Sequence, residues 1–376
     1  MEKQILLNFF LLYFIVYIAF LAFSIFTWKN YKTSFHAENP TLKISIIVSA
    51  RNEENEILNL LRSLSNQDYP VELLEIILIN DQSSDNTKEI AENYCRNNKL
   101  KINILETLLQ SSTPKKQALN LGINFSKGDL LLFTDADCTF EKSWAKAMSS
   151  AFHDKKIDLV FGPIKYSPLN YLEKLLSIEQ AALLGSSLSS LKIKIPSMCN
   201  GANLAVRRSA YDKVNGFNTK SNIASGDDEL IFHKIYKSEK NSVLFLKSSL
   251  ATVITKPVAS IDQLVNQRKR WAGKWEKYLF NRTKAFALYI FGFHFIWLAF
   301  FSLSLIYLVL LPYFITAFII KVILEYVFIL QVMNFLGKRI NLPAFLFLQG
   351  IYSFYVVFFG IISRGTTYTW KDRKLS

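Results

Sequence analysis

Residues 5–28, ILLNFFLLYFIVYIAFLAFSIFTW, run without a single charge. That is long enough to cross the hydrocarbon core of a bilayer as one helix. Trp28-Lys29-Asn30 follows directly, with no small-residue cleavage site, so the stretch reads as an uncleaved anchor. Three further apolar stretches, 285–311, 313–336 and 342–362, fill the C-terminal quarter. The segment between has a different rhythm. LKISIIVSARNEENEILNLLRSL (42–64) places an apolar strand at Ile44–Val48, a polar turn, and a helix with Ile57, Leu60, Leu61 and Leu64 at helical spacing. LEIILIN (74–80) is a second strand, ending at DQSSDNT before the helix KEIAENYC. KINILE (101–106) is a third strand, TPKKQALNLGINFS (113–126) a loop and helix, and DLLLFTD (129–135) a fourth strand.

Strand, polar turn and helix in repetition predict an α/β fold, a mostly parallel sheet with helices on its faces. Such sheets bind ligands at the carboxyl ends of their strands. Three strands end in polar clusters: Arg51-Asn52-Glu53, Asp81 with Ser83 and Asp85, and Asp135 with Asp137. Residues 170–195 carry Leu172, Leu175, Leu176, Ile178, Ala182 and Leu183 at near-helical spacing, which suits a core helix or one lying on the membrane. The expected division is an anchor at 1–30, an α/β domain at 40–284, a membrane region at 285–363 with two or three spans, and a basic tail at 364–376.

The net charge is +14. The basic residues crowd the membrane approach at 256–284, and Lys29 and Lys32 follow the anchor. This is the positive-inside pattern; it places the α/β domain in the cytoplasm of a multi-pass inner-membrane protein and argues against nucleic acid as the partner. Cys95, Cys138 and Cys199 are too scattered for a disulfide framework or a zinc site, so any metal is a hard ion held by oxygen. Two candidate motifs are missing: no G-x-G-x-x-G follows the first strand, and no G-x-x-x-x-G-K-[ST] occurs.

Asp135 and Asp137, two apart at a strand end, face one way in an extended chain. They repel unless a cation lies between them. A divalent metal bridging to a diphosphate satisfies both charges without a glycine-rich loop. The competing structural reading is a solvated turn with an aspartate capping a backbone amide.

IIVSARNEEN, NDQSSDNT, KKQALNLGINFSKGDLLLFTDADC, NGANLAVRRSAY, SGDDEL and QRKRW occur in this order. The ordered set resembles the family 2 glycosyltransferases, over about 42–275. The resemblance implies a GT-A fold and inverting transfer of a sugar from a UDP- or GDP-linked donor, with Mg²⁺ or Mn²⁺. By the resemblance, Ala50, Asn52 and Glu53 cradle the nucleoside, Asp81 meets the base, and Lys115 lies near the donor. Asp135 and Asp137 match the metal-binding D-x-D. The more usual form around Asp81 is Asp-Asp-Gly-Ser, from which Asn80 and Gln82 depart. Inversion needs a general base for the acceptor hydroxyl. The resemblance selects Asp228, beside Asp227 at a helix start where N-capping is the alternative role. Gln267, Arg270 and Trp271 have the Q-x-x-R-W spacing, which implies contact with the leaving group and the acceptor. A basic interfacial helix anchored by Arg, Lys and Trp fits the same residues.

The C-terminal spans pose a conflict. Three full crossings put Arg364, Lys371, Arg373 and Lys374 outside, against the positive-inside rule. If 313–336, which contains Lys321 and Glu325, does not span, Lys338 and Arg339 are outside instead. The tail TYTWKDRKL resembles the Tyr-x-Trp-x-x-Arg endings of glycosyltransferases that act on lipids. The expected function is thus glycosyl transfer to a membrane lipid or growing envelope glycan. A processive polysaccharide synthase and an inactive nucleotide- or sugar-binding relative are the alternatives.

Overall fold

The structure is a computed structural model that describes residues 2–33, 40–98, 101–108, 113–217, 227–273, 278–363, 368–371 and 373–375. The chain opens with α1 (Glu2–Asn30). The strand–turn–helix repeat follows as β1 (Ile44–Ala50), α2 (Ile57–Ser65), β2 (Leu74–Asn80), α3 (Thr87–Asn98), β3 (Ile102–Glu106), α4 (Pro114–Phe125) and β4 (Leu130–Phe133). Next come β5 (Thr139–Phe140), α5 (Trp144–Ser150), β6 (Leu159–Phe161), β7 (Ile164–Tyr166) and the long α6 (Tyr171–Lys192). β8 (Leu204–Arg207), α7 (Arg208–Lys213), α8 (Asp227–Ser238), β9 (Val243–Phe245) and β10 (Val253–Thr255) continue the chain. α9 (Ile261–Ala272), α10 (Asn281–Ile306), α11 (Leu311–Phe335) and α12 (Leu342–Ile362) precede a closing hairpin of β11 (Tyr368–Trp370) and β12 (Arg373–Leu375). The α/β class and the apolar helices at both ends are those expected.

Contacts divide the chain into two compact units that interleave in sequence: 32–167, 198–257 and 367–376 form one, and 1–31, 168–197 and 258–366 the other. In the first, seven strands take the order β3-β2-β1-β4-β8-β6-β9. β3, β2, β1 and β4 are parallel, and β8 runs against both β4 and β6. β1 and β4 are buried along nearly their whole length, as strands covered on both faces must be. Asn203, in the loop before β8, is a buried joint. Its amide nitrogen donates to the carbonyls of Pro163 and Ala251 (2.8 and 2.7 Å) and its oxygen accepts from the Trp144 indole (3.0 Å). A Cβ at Gly162 would come within 2.4 Å of that amide, so only glycine leaves the joint room.

The second unit is built on apolar helices. α1, α10, α11 with the turn before it, and α12 are each long and apolar enough to cross a membrane. α10 runs antiparallel to α1: Phe300 stacks on Phe10 and Phe293 on Tyr17, and Phe286 meets Phe20. α11 returns, so that Phe335 meets Trp28 at the end of α1. α6 packs closely on α11, where a Cβ at Gly185 would lie 2.5 Å from Phe328. α12 packs on both α11 and α10. Its Phe345 meets Tyr326 of α11, Ser353 bonds His294 of α10, and Gly360 lies against Phe291, so α12 runs antiparallel to α10.

Two buried ion pairs lie inside this unit. Lys321 bonds Glu325 (2.9 Å) and Gln349, and Glu325 also accepts from Tyr17 and Gln349. Arg268 of α9 pairs with Glu179 of α6 at 2.5 Å, bonds the Tyr355 hydroxyl and lies 4.1 Å from the centre of the Trp271 ring. Both partners of that pair are 7% exposed, so removing one strands a buried charge. We expect Glu179→Leu to lower stability by about 3–5 kcal/mol, and Glu179→Leu/Arg268→Met to recover much of that loss. Thermal melts of the purified protein in detergent check the order of the two variants.

Candidate active site

β1 and β2 end level, with Ala50 opposite Asn80. Phe133 stands opposite Ile47, so Asp135 and Asp137 leave β4 at the level where β1 runs into Arg51–Glu53. β8 faces β4 with Leu204 opposite Phe133, which brings residues 200–203 to the same rim. The chain therefore gathers its polar clusters at the carboxyl edge of the parallel strands.

Each predicted residue on this rim has a defined position. Ala50 is buried at the end of β1. Asn52 adopts a left-handed backbone (φ 49°), and its side-chain oxygen accepts from the Ser84 amide at 2.9 Å. Glu53 pairs with Lys371 at 3.0 Å. Asp81 accepts from the Thr107 hydroxyl at 3.0 Å and from Arg373 at 2.7 Å. Lys115, in the first turn of α4, pairs with Asp135 at 2.6 Å. Asp137 accepts from the Thr255 hydroxyl at 3.1 Å, with the Cys138 thiol 3.6 Å away. Asp228, at the start of α8, accepts from the Gly201 and Glu229 amides, both at 2.9 Å. The side chain of Asp227 lies outside the described residues, as do those of Tyr368 and Trp370 in the tail motif. Gln267, Arg270 and Trp271 belong to α9 in the helical unit, and it is their neighbour Arg268 that is buried there.

Two carboxyl groups show the strain of this crowding. Burial, followed by the charge of Asp135, holds the Asp137 carboxyl above the usual carboxylate range. Burial pushes Glu53 up to about 7, against the opposing pull of Lys371 and with help from Asp137 and Asp135. Among the described residues no three His, Cys, Asp or Glu side chains converge on one point. Asp135 and Asp137 supply only oxygen, which suits a hard divalent ion completed by phosphate oxygens and water.

Sequence reasoning missed the cationic side of the rim. Lys371 bonds the Asn52 carbonyl at 3.0 Å as well as Glu53. Arg373 bonds Gln82 Oε1 at 2.9 Å as well as Asp81. Arg51 reaches the carbonyls of Asp81, Gln82 and Lys371. The basic tail was visible as a charge run; nothing in its spacing pointed to these partners.

A mostly parallel sheet with polar clusters on its carboxyl edge is a ligand-binding layout common to open α/β folds. The sequence matches the profile of Glycosyl transferase family 2 over residues 45–214 and that of Glycosyl transferase family group 2 over 130–331, more than half of the chain. The chain belongs to the family 2 glycosyltransferases. It is 32% identical over 189 residues to the probable glycosyltransferase YdaM of Bacillus subtilis, covering 48% of this chain and 44% of that one. It is 27% identical over 241 residues to the beta-monoglucosyldiacylglycerol synthase of Trichormus variabilis, covering 63% of this chain and 50% of that one. The chain thus spans half or less of the length of these curated relatives. The mannosyltransferase PcManGT from Pyrobaculum calidifontis, solved with GDP-Man and Mn²⁺, has the same fold at a TM-score of 0.56. It is 15% identical, with 95% of each chain covered.

The raised Glu53 carboxyl has a consequence for pH. An acid whose folded value lies above its unfolded one keeps its proton in the fold while the unfolded chain loses it. Ionisation therefore destabilises the fold as pH rises from about 4.5 to about 7. With metal chelated, we expect Glu53→Gln to flatten the fall in melting temperature over this window, as scanning fluorimetry at stepped pH would show.

Proposed function

We propose that this glycosyltransferase is an inverting membrane enzyme that moves a sugar from a UDP- or GDP-linked donor to a lipid acceptor. The observation that carries the reading is the gathering of Glu53, Asp81, Asp135, Asp137 and Asp228 on one rim in a chain whose other unit is made of apolar helices. The similarity to a glucolipid synthase runs over 63% of this chain, against 38% for a poly-beta-1,6-N-acetyl-D-glucosamine synthase, which supports lipid over polysaccharide as the acceptor class. The sheet unit is assigned to the cytoplasmic side of the inner membrane by the basic residues at 256–284.

In this reading Asn52, Glu53 and Asp81 shape the nucleoside end, and Lys115 lies beside the diphosphate. Asp135 and Asp137 would hold Mn²⁺ or Mg²⁺, whose charge would stabilise the departing nucleoside diphosphate. Asp228 takes the proton of the acceptor hydroxyl. The hydroxyl oxygen then bonds to the anomeric carbon from the side opposite the diphosphate, and the bond to the diphosphate oxygen breaks. The amides of Gly201 and Glu229 keep the Asp228 carboxylate from turning away, which preserves the geometry that proton transfer requires. Gln267, Arg270 and Trp271 are assigned to the leaving group and acceptor.

Labelled UDP- and GDP-sugars incubated with the purified enzyme and total lipid extract should yield a labelled glycolipid; a product that stays at the origin as polymer would move the assignment to a polysaccharide synthase. Asp137→Ala should abolish turnover. Asp228→Asn should lower kcat by at least about a hundredfold, the scale of general-base catalysis, while donor affinity holds. Normal turnover in the Asp228 variant would remove it as the base.

A further inference from the structure

The last ten residues fold back onto the sheet unit, and their described cations all meet the nucleoside end of the rim. Lys371 binds Glu53 and the Asn52 carbonyl. Arg373 binds the Asp81 carboxylate, the Asp81 carbonyl at 3.4 Å and Gln82 Oε1. Arg51 ties the turn of the hairpin to the end of β2 by bonding the carbonyls of Lys371, Asp81 and Gln82. The hairpin thus joins the loops that follow β1 and β2.

We propose that the C-terminal hairpin is a wall of the donor site. Arg373 and Lys371 act as positioning residues that hold Asp81, Gln82 and Glu53 in the shape that receives a nucleoside diphosphate. This rests on the donor-site reading above and extends it to a segment that reading does not use.

Three observations separate a wall from a plug that the donor must expel. First, the Arg373–Asp81 pair is largely withdrawn from water, with side chains 19% and 3% exposed. Breaking such a pair by removing one partner leaves a buried charge, and the neutral edge of a nucleoside cannot compensate for it. Second, Gln82 adopts a left-handed backbone (φ 54°) that glycine would take without strain. Keeping a side chain there places an amide oxygen on Arg373, and strain of this kind persists where surrounding structure fixes it. Third, Glu53, Asp81, Asp135 and Asp137 would together repel an anionic diphosphate. Cations on Glu53 and Asp81 lower that barrier, as Lys115 does on Asp135.

The test is calorimetric titration of the full-length protein in detergent with UDP and with GDP, each with Mn²⁺, alongside donor kinetics. Arg373→Ala should weaken binding of the preferred nucleotide by about tenfold and Arg373→Lys by less, because lysine keeps the charge and loses the forked contact. Donor KM should rise with kcat at saturating donor and acceptor KM little changed, a split that a merely folding-related loss would not give. Gln82→Gly removes the strain together with the contact; it should melt no lower than wild type and still bind nucleotide more weakly. That variant decides the matter if Arg373→Ala does not fold. Unchanged or tighter binding in Arg373→Ala or Gln82→Gly would overturn the proposal, tighter binding marking the hairpin as a plug. If the wild-type chain bound neither nucleotide, the donor-site reading itself would fall, and this proposal with it.

Discussion

Like charge on one edge of a sheet is the constraint that the transferase unit is organised around. Parallel strands aim their carboxyl ends at one rim, and in this chain four of the residues beyond those ends are Glu53, Asp81, Asp135 and Asp137. Each is compensated by a different device. Glu53 has Lys371, Asp81 has Arg373 and a threonine hydroxyl, and Asp135 has Lys115. Asp137 has a hydroxyl donor and the more distant influence of Lys115, and its carboxyl is correspondingly held above the usual range. A divalent ion placed between Asp135 and Asp137 would relieve the least compensated member of the set.

The helical unit solves a related problem in apolar surroundings. Glu179 and Arg268 are each too costly to bury alone, and so are Lys321 and Glu325. Pairing them restricts how α6 can meet α9, and how α1, α11 and α12 meet through Tyr17, Glu325 and Gln349. Apolar side chains alone would tolerate several registers, because one methyl-lined groove is much like the next. A salt bridge at a single depth does not.

Much of the fold was legible because the first four strands are short apolar runs that stop at polar turns, and β1 to β4 fall where Ile44–Val48, 74–80, 101–106 and 129–135 place them. The later, shorter strands were not. β5, β6, β7, β9 and β10 are two or three residues long, too short for any periodicity to show. The acidic members of the rim could be read because aspartates at strand ends are conspicuous. Their cationic partners could not, because Lys371 and Arg373 lie 292 or more residues away from Asp81 and Glu53 along the chain, and a basic tail after an apolar helix looks the same whether it meets lipid or protein. The Q-R-K-R-W stretch could be read by its motif spacing, but not the burial of Arg268, since its partner Glu179 is one acid among the leucines of α6.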